Sequence, residues 1–199
     1  AAYGEAARRA VEAGFDGVEI HGANTYLIQQ FFSPHSNRRT DKWGGSLEKR
    51  MTFPLAVVDA VKAAVKKASD RPFIIGYRIS PEELENPGIT MNDTLALAEV
   101  LSKKELDHLH VPTMNFFGAS LRDAADATPR AQLIYDKVGH KLPVIGVGGV
   151  STPQQANMVL GTGVQLVALG RELLIEPHWL EKLKNGQLDS IETALDVHN

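Results

Sequence analysis

The sequence predicts an α/β fold, a parallel sheet of about five strands with helices packed outside it. Short apolar runs bracketed by Gly or Pro alternate along the chain with longer segments whose apolar residues recur at helical spacing. Most connections between them are short, which favours right-handed βαβ units and parallel pairing. No internal repeat of fixed period and no low-complexity linker divides the 199 residues, so a single domain spanning 1–199 is expected.

The elements follow in order. From about Ala2 to Ala13 the residues Ala6, Ala10, Val11 and Ala13 share a helix face, and Gly14 stops the helix. Gly17–His21 is the first strand, its apolar centre Val18 to Ile20 bracketed by Gly14 and Gly22. A short helical piece, Tyr26–Phe32, ends at Pro34. Ser46-Leu47-Glu48 opens a long helix through Leu55, Val58, Val61 and Val65, and Pro54 inside it predicts a kink or a late start. Phe73–Ser80 is the second strand. Thr90 to Asp93 reads as a cap for a helix over Asp93–Lys104. His108–Val111 is the third strand, and a loop from Thr113 to Pro129 leads to a helix over Arg130–Val138. Val144–Gly149 is the fourth strand, Thr152–Leu160 a helix with Pro153 in its first turn, and Leu166–Gly170 the fifth strand. Two short helices are expected after Glu176-Pro177.

Composition narrows the function classes. With 43% hydrophobic and 23% charged residues the chain is an ordinary globular protein. A net charge of -3 and no Lys/Arg cluster with interleaved aromatics argue against nucleic acid. No apolar run approaches the ~20 residues of a membrane span. The absence of Cys removes disulfides, thiolate metal sites and cysteine-ligated iron–sulfur clusters, and no metal site is expected. A cytoplasmic location fits this composition.

In a parallel α/β sheet ligands bind at the carboxyl ends of the strands. That rule selects His21, Arg78, Gly148-Gly149 and Gly170-Arg171. His21, Asn24 and Tyr26 place an imidazole, an amide and a phenol within six residues of one strand end, where burial without polar partners would be costly. Arg78 puts a guanidinium into the otherwise apolar FIIGYRIS strand and needs an anionic or polar partner, either a ligand or an interior ion pair. Gly148-Gly149 followed by Ser151-Thr152-Pro153 is a glycine turn running into a helix N-terminus, an arrangement suited to an anion. Gly170-Arg171 adds a second such turn with a fixed positive charge. Asn37, Arg38, Arg39 and Asp41 are assigned to loop architecture, with Trp43 a possible wall of the site.

The motifs HGANTYL, QFFSP, SNRRTD and GGSLEKR, in that order, resemble the signature of the old yellow enzyme family, with Lys49 where Asn is usual. The resemblance implies a TIM (β/α)8 barrel, FMN as cofactor and NAD(P)H as reductant, with an activated alkene as small-molecule substrate. It implies that Arg78 contacts the N1–C2 edge of the flavin, and that Gly148, Gly149, Gly170 and Arg171 hold its phosphate. It implies that His21 and Asn24 grip the substrate oxygen and that Tyr26 donates the proton, a phenol being protonated at neutral pH. A complete barrel takes ~250 residues, so the chain reads as the C-terminal part of one, a partial barrel whose open side is met by a missing N-terminal barrel segment or by a second copy. The other readings are a non-catalytic truncated barrel that binds phosphate weakly, and a phosphate-binding isomerase or aldolase. The latter needs a Lys or carboxylate at a strand end, where this chain carries His, Arg and Gly.

Overall fold

The computed structural model describes residues 1–195. Its five strands are β1 (Gly17–Gly22), β2 (Ile74–Ile79), β3 (His108–Pro112), β4 (Val144–Val147) and β5 (Leu166–Val167). All pair in parallel, in the order β1-β2-β3-β4-β5. A sheet in which sequence order equals spatial order never reverses its winding, as a doubly wound sheet does, and this is the geometry of a barrel sector. The expected strands are all present, though β4 and β5 end before the glycines assigned to them.

The helices are α1 (Ala2–Glu12), α2 (Leu27–Phe32), α3 (Leu47–Ala68), α4 (Met91–Leu101), α5 (Arg130–Val138), α6 (Pro153–Leu160), α7 (Glu172–Ile175) and α8 (Trp179–Lys184). Three N-termini are capped by side chains: Thr90 forms the expected cap as a capping box with Asp93, Thr152 forms another with Gln155, and Ser46 Oγ accepts from Lys49 N–H. α3 starts at Leu47 and runs through Pro54 without interruption, so the expected late start does not occur. Two short helices follow Pro177 as expected, α8 and a 3-10 turn over Leu188–Ser190, and α7 ahead of it is an addition.

Strand alternation divides the sheet into two faces. Ile20, Tyr77, Leu109 and Val144 form one in-register row, buried beneath the helices with Val58, Val61, Leu97 and Ile134. Burying each such side chain contributes about 1.5–3 kcal/mol, and this layer holds the helices to the sheet. The opposite, inner face carries the row His21, Arg78, His110, Ile145 and Leu166. Ile74 and Leu166 on this face are about half exposed. Those exposures mark the side on which a closed barrel would continue.

The loop between β3 and α5 is held by an ion pair. Glu82, after β2, accepts from Arg130 Nη1 (3.0 Å), Ser120 Oγ and Leu121 N–H, and both charged side chains are almost fully buried. The carboxylate organises this loop over the C-terminal end of the sheet.

Candidate functional site

The expected residues converge on the C-terminal edge of the sheet in two groups. Gly148, Gly149, Gly170 and Arg171 line a single cleft of about 310 Å³ with Thr113, Met114 and Ser151. His21 and Arg78 lie side by side in register on β1 and β2, with Asn24 and Tyr26 on the turn that leaves β1.

The cleft is a backbone device. Gly148 has φ 144° and Gly149 φ 64°. A Cβ on Gly148 would stand 2.6 Å from Thr113 Oγ1 and 2.7 Å from Phe116 N, so no side chain fits there. Among the described residues the N–H groups of Gly149 and Arg171 find no protein acceptor. They are left for an anion at a helix start. One sequence expectation is corrected here. The α6 N-terminus was to contribute free N–H groups, but Gln155 Oε1 accepts from Ser151 N–H (2.8 Å) and Thr152 N–H (3.1 Å). Gln155 thus takes up two of the donors at the α6 start, while the N–H groups of Gly149 and Arg171 stay free among the described residues.

Arg78 has no ion pair among the described residues, and its Nε–H is buried without a hydrogen-bond partner. The interior ion pair weighed from sequence is thus not formed. An unpaired guanidinium at this edge is the donor that an anionic ring edge requires. His21 Nδ1 accepts from Ala23 N–H at 3.4 Å, which places the ring proton on Nε2. Burial and then the charge of Arg78 lower the His21 pKa, so it acts as a neutral N–H donor. The Tyr26 ring meets the His21 ring edge-on, with centroids 4.9 Å apart, and is 62% exposed. Its hydroxyl and the Asn24 side-chain amide have no protein partner among the described residues.

The turn carrying Asn24 and Thr25 is strained. Their φ values are 54° and 63°, and for a β-branched Thr this is an outlier. Left-handed backbone costs roughly 1–2 kcal/mol per non-Gly residue. Such strain persists where surrounding contacts over-determine it, commonly at functional sites.

Residues 1–190 match the NADH:flavin oxidoreductase / NADH oxidase family. The chain belongs to this family. It is 52% identical over 194 residues to a probable NADH-dependent flavin oxidoreductase, YqiG, of Bacillus subtilis, covering 98% of this chain and 52% of that protein. It is 46% identical to an NADH:acrylate oxidoreductase of Vibrio harveyi, over 93% of this chain and 19% of that one. The structure of morphinone reductase in complex with tetrahydroNAD superposes with a TM-score of 0.72 at 31% identity, over 98% of this chain and 48% of that chain. The chain thus spans about half the length of the first of these relatives. Membership of a flavin oxidoreductase family agrees with FMN as cofactor and a nicotinamide as reductant. Arg78 and the glycine cleft fit such a group, since the Arg78 Nε–H and the N–H groups of Gly149 and Arg171 have no acceptor among the described residues and can serve negative charge.

In this member of the flavin oxidoreductase family the sequence alone did not single out one cluster. Glu19 on the inner face accepts from His108 Nε2 (3.1 Å) and His110 Nδ1 (2.9 Å). Gly76 stands between Glu19 and His108 in register, and the His108 ring occupies the space a Cβ would take, only 2.0 Å from Nε2. The signal was present in the spacing: Glu19 with His21, and His108 with His110, are two apart across buried Ile20 and Leu109. Burial works against the Glu19 charge, but the two histidine hydrogen bonds outweigh it and lower its pKa to about 2. A carboxyl whose pKa falls on folding stabilises the fold above its unfolded value and loses that contribution as pH drops towards the folded one. Wild type should therefore lose stability between about pH 4.5 and 2 more steeply than Glu19→Gln, as read from urea midpoints across that range. Equal slopes would remove Glu19 from the acid response.

Trp43 does not wall the site. Its ring packs edge-on against Phe53 of α3 at 6.1 Å, and Asn37 Nδ2 donates to the carbonyls of Phe31 and Trp43. This loop serves architecture, as expected for Asn37.

Proposed function

We propose that this chain is the catalytic, C-terminal portion of an FMN-binding (β/α)8 barrel, a single unit over residues 1–199, that takes reducing equivalents from NAD(P)H and reduces an activated alkene. One observation carries the reading: an unpaired Arg78, a neutral His21 N–H donor and a glycine cleft with free N–H groups share one sheet edge. A bound FMN supplies hydride transfer between the nicotinamide and the substrate. The chain's own residues do the rest. Gly148, Gly149, Gly170 and Arg171 hold the phosphate, and Arg78 faces the ring edge where negative charge grows. His21 Nε2–H and the Asn24 amide donate to the substrate oxygen, stabilising enolate-like charge. Tyr26 delivers the proton to the α-carbon. The acrylate-directed relative supports an alkene substrate. A cytoplasmic location goes with this reading, and no helix among the described residues is long and apolar enough to cross a membrane.

Flavin content of the protein purified from cells tests the proposal. A yellow complex bleached by NADH, present on purification or formed on saturation with added FMN, supports it, and a chain that takes up no FMN at any concentration favours the non-catalytic reading.

The open side is part of the proposal. The β5 edge exposes Leu160, Leu166, Leu180 and Leu183, and β1 and β5 both end the sheet with unpaired backbone groups. This side is completed by the remaining barrel segment or by a second copy. By itself the chain should therefore self-associate in sedimentation and bind FMN weakly. A stable monomer with submicromolar affinity would overturn that expectation.

A further inference from the structure

We infer that Gln29 and Glu83 are positioning residues that brace the strained Asn24-Thr25 turn and so set the places of Asn24 and Tyr26. The catalytic meaning of this rests on the reading of those two residues given above.

Both amides of the turn are tied to side chains from elsewhere. Asn24 N–H donates to Ser80 Oγ, beyond β2, at 2.9 Å. Thr25 N–H donates to Gln29 Oε1 at 3.0 Å, and Gln30 Nε2 donates back to the Thr25 carbonyl at 2.7 Å. Gln29 is buried, only 3% exposed, and its other end is also committed, Nε2 donating to Glu83 Oε1 at 2.8 Å. Glu83 in turn accepts from Ser33 Oγ and from Ile89 N–H at 3.0 Å. The chain of bonds therefore runs from the β2–α4 loop, through the buried amide of α2, to the backbone of Thr25.

A buried Gln engaged at both ends has one orientation, so its Oε1 is a fixed acceptor. A β-branched residue at φ 63° would otherwise relax to negative φ. That relaxation would swing Asn24 and Tyr26 off the edge shared with His21, because both flank Thr25. Tyr26 is the N-cap residue of α2, and its carbonyl accepts from Gln30 N–H at 2.9 Å. The brace thus acts on the donors through backbone, without touching a ligand.

The test uses amide exchange and ring-current shifts in the whole chain, which need no ligand. In Gln29→Met, exchange at Asn24 and Thr25 should accelerate about tenfold or more, the equivalent of losing one ordinary hydrogen bond. The mutual ring shifts of His21 and Tyr26 should collapse. In a Thr25→Gly background the same substitution should leave Asn24 exchange and the ring shifts nearly unchanged, because Gly holds positive φ unaided, even though the N–H at position 25 still loses its acceptor. Glu83→Gln, read in the same way, serves if Gln29→Met does not fold. Unchanged Asn24 protection and ring shifts, or an effect equally large beside Gly at position 25, would overturn the brace. In flavin-loaded protein the alkene-reducing step should slow while flavin reduction by NADH holds. If the ring shifts collapse and neither step changes, the functional half of the proposal falls, together with the role given to Tyr26.

Discussion

Replacing Tyr26 by Phe should slow alkene reduction by about 10²–10⁴-fold, the usual contribution of a placed general acid, and leave flavin reduction by NAD(P)H nearly unchanged. The exchange removes one oxygen and keeps the ring that meets His21 edge-on. Because the side chain is largely exposed, the fold has little reason to respond. Protonation of the α-carbon belongs only to the half-reaction that consumes the alkene. Stopped-flow measurement of the two half-reactions separately therefore isolates the phenol. If both slowed to the same extent, Tyr26 would be holding structure and not moving a proton.

Gly148→Ala should be the most disruptive single methyl group in the molecule's candidate site. Two penalties coincide there. The residue sits at φ 144°, and its new Cβ would lie 2.6–2.7 Å from Thr113 Oγ1, Thr113 O and Phe116 N. Phe116 N–H also donates to the Gly148 carbonyl at 3.0 Å, so relief by backbone movement breaks a bond. Strain of ~1–3 kcal/mol and overpacking of ~1–3 kcal/mol together give a loss of about 2–6 kcal/mol, with the cleft displaced. Gly149→Ala is the control. Its φ of 64° carries the conformational penalty, but its Cβ would meet Met114 O at 3.6 Å and Asn115 Cα at 4.0 Å, both ordinary contacts. Urea denaturation should rank Gly148→Ala well below Gly149→Ala, and phosphate-dependent FMN binding should fall further in the former. Equal stability of the two variants would mean that the turn yields freely and the cleft is not preformed.

The comparison of these glycines shows how much of the site was legible. From residue types alone, Gly148-Gly149 and Gly170-Arg171 announce an anion cradle, and His21, Asn24 and Tyr26 announce a polar strand end. What spacing could not show is which donors remain free. Gln155 looks like an ordinary helical residue, yet its side chain takes up the Ser151 and Thr152 N–H groups at the α6 start. Arg78 likewise left two readings open, an interior ion pair or a ligand contact, and only the packed sheet showed its Nε–H buried with no partner among the described residues.

The sequence by itself determined the five strands, their parallel order and the residues at their carboxyl ends. Those features depend on local signals, namely apolar runs, caps and glycines, that act within a few residues. Its motifs also pointed to the family, because HGANTYL through GGSLEKR is continuous in the chain. The tertiary structure alone decided which side chains meet. Glu19 finds His108 and His110 about ninety residues away because parallel register brings β1 and β3 to either side of Gly76. Gln29 finds Glu83 because α2 packs beside the loop after β2. Such contacts depend on how strands align and helices seat, which is settled by long-range burial and not by the order of residues within any one segment.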